Sequence, residues 1–200
     1  MAHYQAMGSI PPKRHTQHRR PARRGVGELY YEELMGEEGF SSDSSLLYHR
    51  NIPSAVAEYR EWAVGDLGTS ANHPLLPRHL TPHDLFPAKV VKETDVVTGR
   101  RLLLGNGDVR LSYAVAGAPS PWYRNGIGDE CVYVERGRAR VETVFGAFEV
   151  GQGDYVVIPR ATTHRWIPKR STKDPLRAIC IEASSHIAPN PAARHTRNAA

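Results

Sequence analysis

Apolar and polar positions alternate in short runs through the C-terminal half of this chain, and turn formers separate the runs at regular intervals. The runs are RLSYAV (110–115), CVYVE (131–135), ARVETV (139–144), AFEV (147–150), YVVIP (155–159), HRWI (164–167) and RAICIEA (177–183). Gly137, Gly146, Gly151 and Gly153 fall between them, where tight turns call for a residue tolerant of positive φ. In ARVETV the period of two puts Arg138, Arg140 and Glu142 on one face and Ala139, Val141 and Thr143 on the other. Short strands at this spacing predict a mainly β protein, an antiparallel sandwich or closed barrel over 109–185.

The pattern upstream is weaker. Residues 1–27 form a basic, proline-punctuated arm, 28–108 an extension mixing apolar stretches with turn formers, and 186–200 a polar tail. Residues 39–55 read as a serine-rich turn followed by an apolar anchor. Ser54 is placed to cap a short helix over Ala55–Ala63, with Val56, Tyr59 and Ala63 near one face. Thr81-Pro82-His83-Asp84 resembles a second helix start, because proline suits the first helical position. Between them Asn72–Pro77 is expected to be extended loop.

Charge adds one fact. Lys13, Arg14, Arg19, Arg20, Arg23 and Arg24 stand in the arm with no acid, against a chain total of +5, so the remaining 173 residues carry −1. The folded body has no general positive field, and no aromatic platform accompanies the arm's cations, so no nucleic-acid partner is expected. No run of 18 apolar residues occurs and the N-terminus lacks both a secretory signal and an amphipathic transit helix, so no membrane association and a cytoplasmic location are expected. Cys131 and Cys180 lie in apolar β-like runs and read as buried free thiols; nothing near Cys131 would activate a thiolate. No Rossmann fingerprint, phosphate loop or G-x-S-x-G elbow is present.

The candidate chemistry centres on two residues. Glu130 shares a strand face with Val132 and Val134, and a carboxylate so placed is costly unless something pairs with it. Gly137 follows seven residues later, giving E-x6-G. Downstream, Gly153, Pro159, Ala161 and His164 give G-x5-P-x-A-x2-H. In a barrel, Glu130 and His164 approach each other across adjacent strands. These are the spacings of the two cupin motifs, in which two histidines and a glutamate from the first motif and a histidine from the second bind a metal. The first-motif histidine positions fall at Arg124 and Gly126 or, shifted by one, at Tyr123 and Asn125. Glu130 and His164 therefore remain as degenerate metal positions, read either as a hydrogen-bonded structural pair or as part of a sparse metal site; a catalytic site ordinarily needs three protein ligands. His79 and His83 beside Asp84 could present a metal-binding helix face, but Pro82 disfavours a continuous helix and solvent exposure is expected. His15, His18 and His195 lie in the tails and read as solubilising.

The segments KRHTQHRRP (13–21), LYYEELMGEEGFSSDSSLLYHRNIPSA (29–55) and NGIGDECVYVERGRARVETVFGAFEVGQGDYVVIPRATTHRWI (125–167) together resemble the N-terminal half of bacterial homogentisate 1,2-dioxygenase, over residues 4–189 or so. The resemblance implies a cupin-type antiparallel β-barrel (double-stranded β-helix, or jelly roll) with an N-terminal extension and one or two short helices. It implies a two-cupin enzyme of phenylalanine and tyrosine catabolism, which opens homogentisate with O2 to maleylacetoacetate at a mononuclear Fe(II). In that family two histidines and a glutamate of the second cupin hold the iron, so no residue of 1–200 inherits a catalytic, cofactor-binding or metal role. The first cupin then serves structure and homo-oligomer formation, and Fe(II), homogentisate and O2 belong to the full enzyme; no cofactor is expected on this chain alone. The competing expectation is a stand-alone, non-catalytic cupin used for assembly or small-ligand binding.

Overall fold

The computed structural model describes residues 18–38, 41–62, 69, 77–85, 93–169 and 175–188. The chain divides into two compact units, Gly8–Ala63 and a larger unit of Met1–Met7 with Val64–Ala200.

The smaller unit contains an antiparallel hairpin of β1 (Tyr31–Glu38) and β2 (Ser41–His49), with Leu34 opposite Leu46 and Glu33 opposite Leu47. His49 Nε2 lies 2.7 Å from Glu33 Oε2 across the hairpin, and His18 packs edge-on to Tyr48 at 4.8 Å. The serine-rich segment is thus strand where a turn was expected. Backbone pairing with β1 sets the conformation there, and serine's weak strand preference does not decide it. The helix anticipated from Ala55 does not form in the described residues 55–62. Val56 and Tyr59, its intended buried face, are 80% and 90% exposed. A helix so short has no stability of its own without an apolar face to bury.

Seven strands of the larger unit match the seven predicted runs to within one or two residues. They are β4 (Val109–Ala116), β5 (Asp129–Arg136), β6 (Arg138–Thr143), β7 (Gly146–Gly151), β8 (Tyr155–Ile158), β9 (His164–Pro168) and β10 (Leu176–Ala183). An unanticipated strand, β3 (Arg101–Gly105), precedes them. They form a five-stranded antiparallel sheet, β3-β4-β10-β5-β8, and a three-stranded one, β7-β6-β9. One apolar core joins the two: Val132, Val134, Ala178, Cys180 and Ile158 from the first meet Val141, Val150 and Trp166 from the second. The alternation expected in β6 is observed, with Ala139 and Val141 buried and Arg138 and Arg140 exposed. Cys180 is a buried free thiol, whereas Cys131, on the opposite face of β5, is half-buried.

Only a 3-10 helix, Pro82–Leu85, forms at the second expected helix, and no α-helix occurs among the described residues. His79 lies outside that single turn and is exposed, so the helical face proposed for His79 and His83 does not exist. Residues 72–76, within the expected extended loop, fall outside the described residues, as do His15 and His195. Past β10, Asp129 accepts hydrogen bonds from the Ile187 amide and His186 Nδ1, each at 2.8 Å, which ties the chain back to the start of β5.

The β5–β6 turn shows how tightly the strand ends are fitted. Gly137 has φ +83°, and a Cβ there would come within 2.8 Å of the Pro175 carbonyl oxygen and 2.9 Å of Leu176 Cα. Gly153 has φ +93° with nothing within 4 Å. Gly153→Ala is therefore expected to lose only the conformational share, about 1 kcal/mol, and Gly137→Ala about 2–3 kcal/mol. Urea denaturation of both variants checks the ranking.

Candidate functional site

A turn outside the predicted strands positions the central side chain. Asp95 Oδ1 accepts the amide hydrogens of Val97 (2.7 Å) and Thr98 (2.9 Å), and the Thr98 hydroxyl bonds the same carboxylate. Thr94 O accepts the amides of Gly117 and Ala118, both at 3.0 Å, so the turn is fastened to the end of β4. Val96 is fully buried in the core beneath it. The turn delivers Arg100, whose Nε–H donates to Val96 O at 2.8 Å.

Arg100 meets two carboxylates. Glu130 on β5 and Glu182 on β10 are directly opposite in register, so their side chains share a face. Two like charges so paired repel, and a bridging cation removes the conflict. The Arg100 guanidinium supplies it, with Nη2 2.8 Å from Glu130 Oε2 and Nη1 2.5 Å from Glu182 Oε1. Exposure of the side chains is 5% for Arg100, 1% for Glu130 and 14% for Glu182. Burial favours the neutral form of Glu130, but the charge and hydrogen bond of Arg100 outweigh it, and the carboxyl lies below its ordinary value of 4.5.

Residues 120–125 run beside β9 and bring two more side chains in. Tyr123 and His164 exchange backbone hydrogen bonds at 2.9 Å in each direction, and their rings meet edge-on at 5.5 Å. The Arg100 guanidinium carbon is 5.7 Å from the Tyr123 ring centroid. Burial and the neighbouring Glu130 carboxylate push the Tyr123 phenol pKa up, so it keeps its proton. Asn125 Oδ1 accepts the amides of Ile127 (2.9 Å) and Gly128 (3.2 Å), which forces its amide nitrogen to face Glu130 Oε1, at 3.2 Å. Of the two registers considered for the missing histidines, the shifted one, Tyr123 and Asn125, lines the site.

His164 is fully buried on β9, beside Trp166 on the same inward face. It does not lie on a strand adjacent to Glu130: β5 pairs with β8 and β10, and β9 pairs with β6 in the other sheet. The two residues interact electrostatically across the interior. The direct partner of Glu130 is Arg100, and that replaces the expected Glu–His hydrogen-bonded pair. His164 Nδ1 is 2.9 Å from Thr162 O, so that nitrogen carries the hydrogen and Nε2 presents a lone pair with no hydrogen-bond partner. Burial lowers the His164 pKa below its usual 6.5 and keeps the ring neutral. Cys180, directly across from Val132, is pushed by burial to about 11 and stays a thiol.

This donor set does not fit a divalent metal. Both Glu130 oxygens are engaged, one by a permanent cation and one by an amide N–H. Asn125 aims donors, and Tyr123 a protonated phenol, from the places where lone pairs would be needed. That leaves the His164 Nε2 lone pair as a free donor on the inward face. No group of three or more His, Cys, Asp or Glu is arranged to hold a metal among the described residues. No helix among them is long and apolar enough to cross a membrane.

The family model described as a cupin domain matches residues 110–182. This segment is a cupin domain. Over 166 residues, 82% of its length, the chain is 36% identical to the Saccharolobus solfataricus protein named "Putative dioxygenase SSO1533". It spans only 41% of that relative's length. Solved structures align over less of the chain. A cupin-2 domain protein from Shewanella frigidimarina aligns at 18% identity, covering 42% of this chain and 78% of its own, with a TM-score of 0.38. KdgF from a Halomonas species aligns at 22% identity, covering 45% and 84%, with a TM-score of 0.39. Glu130, His164 and Glu182 all belong to the matched cupin segment, whereas Arg100 lies ten residues before it begins.

Sequence reasoning placed Glu130 facing inward and named His164, but it missed Arg100 and Glu182. The available signal was a second inward carboxylate: in RAICIEA the period that buries Ala178 and Cys180 also turns Glu182 inward.

The pKa shifts fix a direction for pH dependence. A His164 value lowered in the folded state gives stability that is complete above 6.5 and is lost as pH falls below it. The lowered Glu130 value adds a contribution that is lost as pH falls below 4.5. The melting temperature should therefore decline with acidification from pH 6.5, and His164→Gln should flatten the upper part of that decline. Thermal melts from pH 4 to 8 give the comparison.

Proposed function

We propose that this chain is the non-catalytic, N-terminal cupin half of a homogentisate 1,2-dioxygenase-type protein, in which a second cupin carries the Fe(II) chemistry that opens the ring of homogentisate with O2. The observation that carries this reading is the Arg100–Glu130 ion pair: it consumes the one first-motif ligand that survives. The relationship to a much longer Saccharolobus protein bearing a dioxygenase name supports the rest, as does the resemblance of the arm and hairpin segments. The role left to this half is to build and hold the assembly. The edge strand β8 supports that role, because its outward Tyr155 and Val157 are 69% and 41% exposed and Tyr155 packs on Tyr133 at 4.7 Å. Such an apolar strip suits contact between subunits of a homo-oligomer.

A stand-alone, non-catalytic cupin is the second reading. It is favoured by the internal closure of the larger unit, whose core residues are buried within the unit itself.

Oxygen-electrode measurements with homogentisate and Fe(II) test the proposal. This chain alone should give no uptake above the buffer rate, while a protein continuing into a second cupin with a two-histidine, one-glutamate site should consume one O2 per homogentisate. Uptake by the chain alone that disappears in His164→Ala would overturn the assignment. A following reading frame that encodes no such cupin would leave the stand-alone reading.

A further inference from the structure

The facing carboxylates of Glu130 and Glu182 form a cation site inside the cupin barrel, and we propose that Arg100 is its built-in occupant, so that removing its side chain leaves a binding site for a free guanidinium cation. The segment that supplies this cation lies outside the matched cupin residues. The inference does not depend on which reaction the protein serves.

Three observations converge. Glu130 and Glu182 are in direct register on neighbouring strands, so without a cation their charges confront each other on the inward face. The guanidinium meets both through separate nitrogens, and its Nε–H is spent on Val96 O, so the group is held from three sides. The turn that presents it is itself fixed, by the Asp95 carboxylate and by Thr94 O at the end of β4. A side chain serving only as packing would not need its polar atoms matched in this way. Cutting it back should leave a small cavity with two carboxylates turned toward it, and that cavity should take a planar cation from solution.

Arg100→Ala with methylguanidinium chloride as the probe tests this directly. Removing one member of a buried ion cluster should lower the melting temperature by about 10 °C. Millimolar methylguanidinium should restore more than half of that loss. Equal concentrations of urea, its neutral relative, or of sodium chloride should restore none. The response should vanish when Glu130→Gln and Glu182→Gln are added to Arg100→Ala, because the carboxylates then no longer demand a cation. Should Arg100→Ala not fold unaided, refolding from denaturant in methylguanidinium should recover it. A folded Arg100→Ala indifferent to methylguanidinium, or one that stays unfolded in its presence, would overturn the proposal.

Discussion

Two carboxylates face each other across neighbouring strands inside an apolar barrel, and the surrounding structure is arranged so that one guanidinium can stand between them. An unpaired buried carboxylate is strongly destabilising, and two in register are worse. The Asp95 turn, its attachment to β4 and the burial of Val96 all set the position of Arg100. The Asx turn at Asn125 directs an amide N–H at the remaining Glu130 oxygen. Both oxygens of the buried Glu130 carboxylate are thereby partnered from within the fold.

That arrangement shows how the inward carboxylates of a cupin fold can be neutralised by a side chain of the chain itself. A divalent ion and an arginine solve the same problem, since each neutralises inward acidic groups. They differ in what they leave open. A metal keeps coordination positions for substrate and oxygen, whereas a guanidinium uses its N–H groups as fixed hydrogen-bond donors and offers no vacant orbital. His164, held neutral with Nδ1 on Thr162 O, is then the one inward motif residue with a free lone pair, and its ring packs edge-on against Tyr123.

The β architecture was legible because its cause is local. Alternation in CVYVE and RAICIEA, with glycines between runs, reports directly which face of each strand is buried, whereas in RLSYAV both faces are buried from Ser112 onward. The same alternation announced that Glu130 points inward. What it could not supply was the partner. Arg100 sits after a turn thirty residues earlier in a segment with no periodic pattern, and only the folded sheet order brings β10 between β4 and β5 so that the three residues meet. The placement of His164 failed for the same reason: period two gives the face of a strand but not which strand lies beside it. The short helix expected after Ser54 failed because capping and spacing were present without an apolar surface to receive Val56 and Tyr59. The serine-rich strand β2 was missed because pairing with β1, a non-local contact, outweighs its composition.

The most direct test is a crystal structure of this chain grown with millimolar Mn(II) and measured at an anomalous-scattering wavelength. The account predicts guanidinium density between Glu130 and Glu182 and no anomalous peak near His164. An anomalous peak coordinated by Glu130 and His164, with Arg100 displaced, would contradict it.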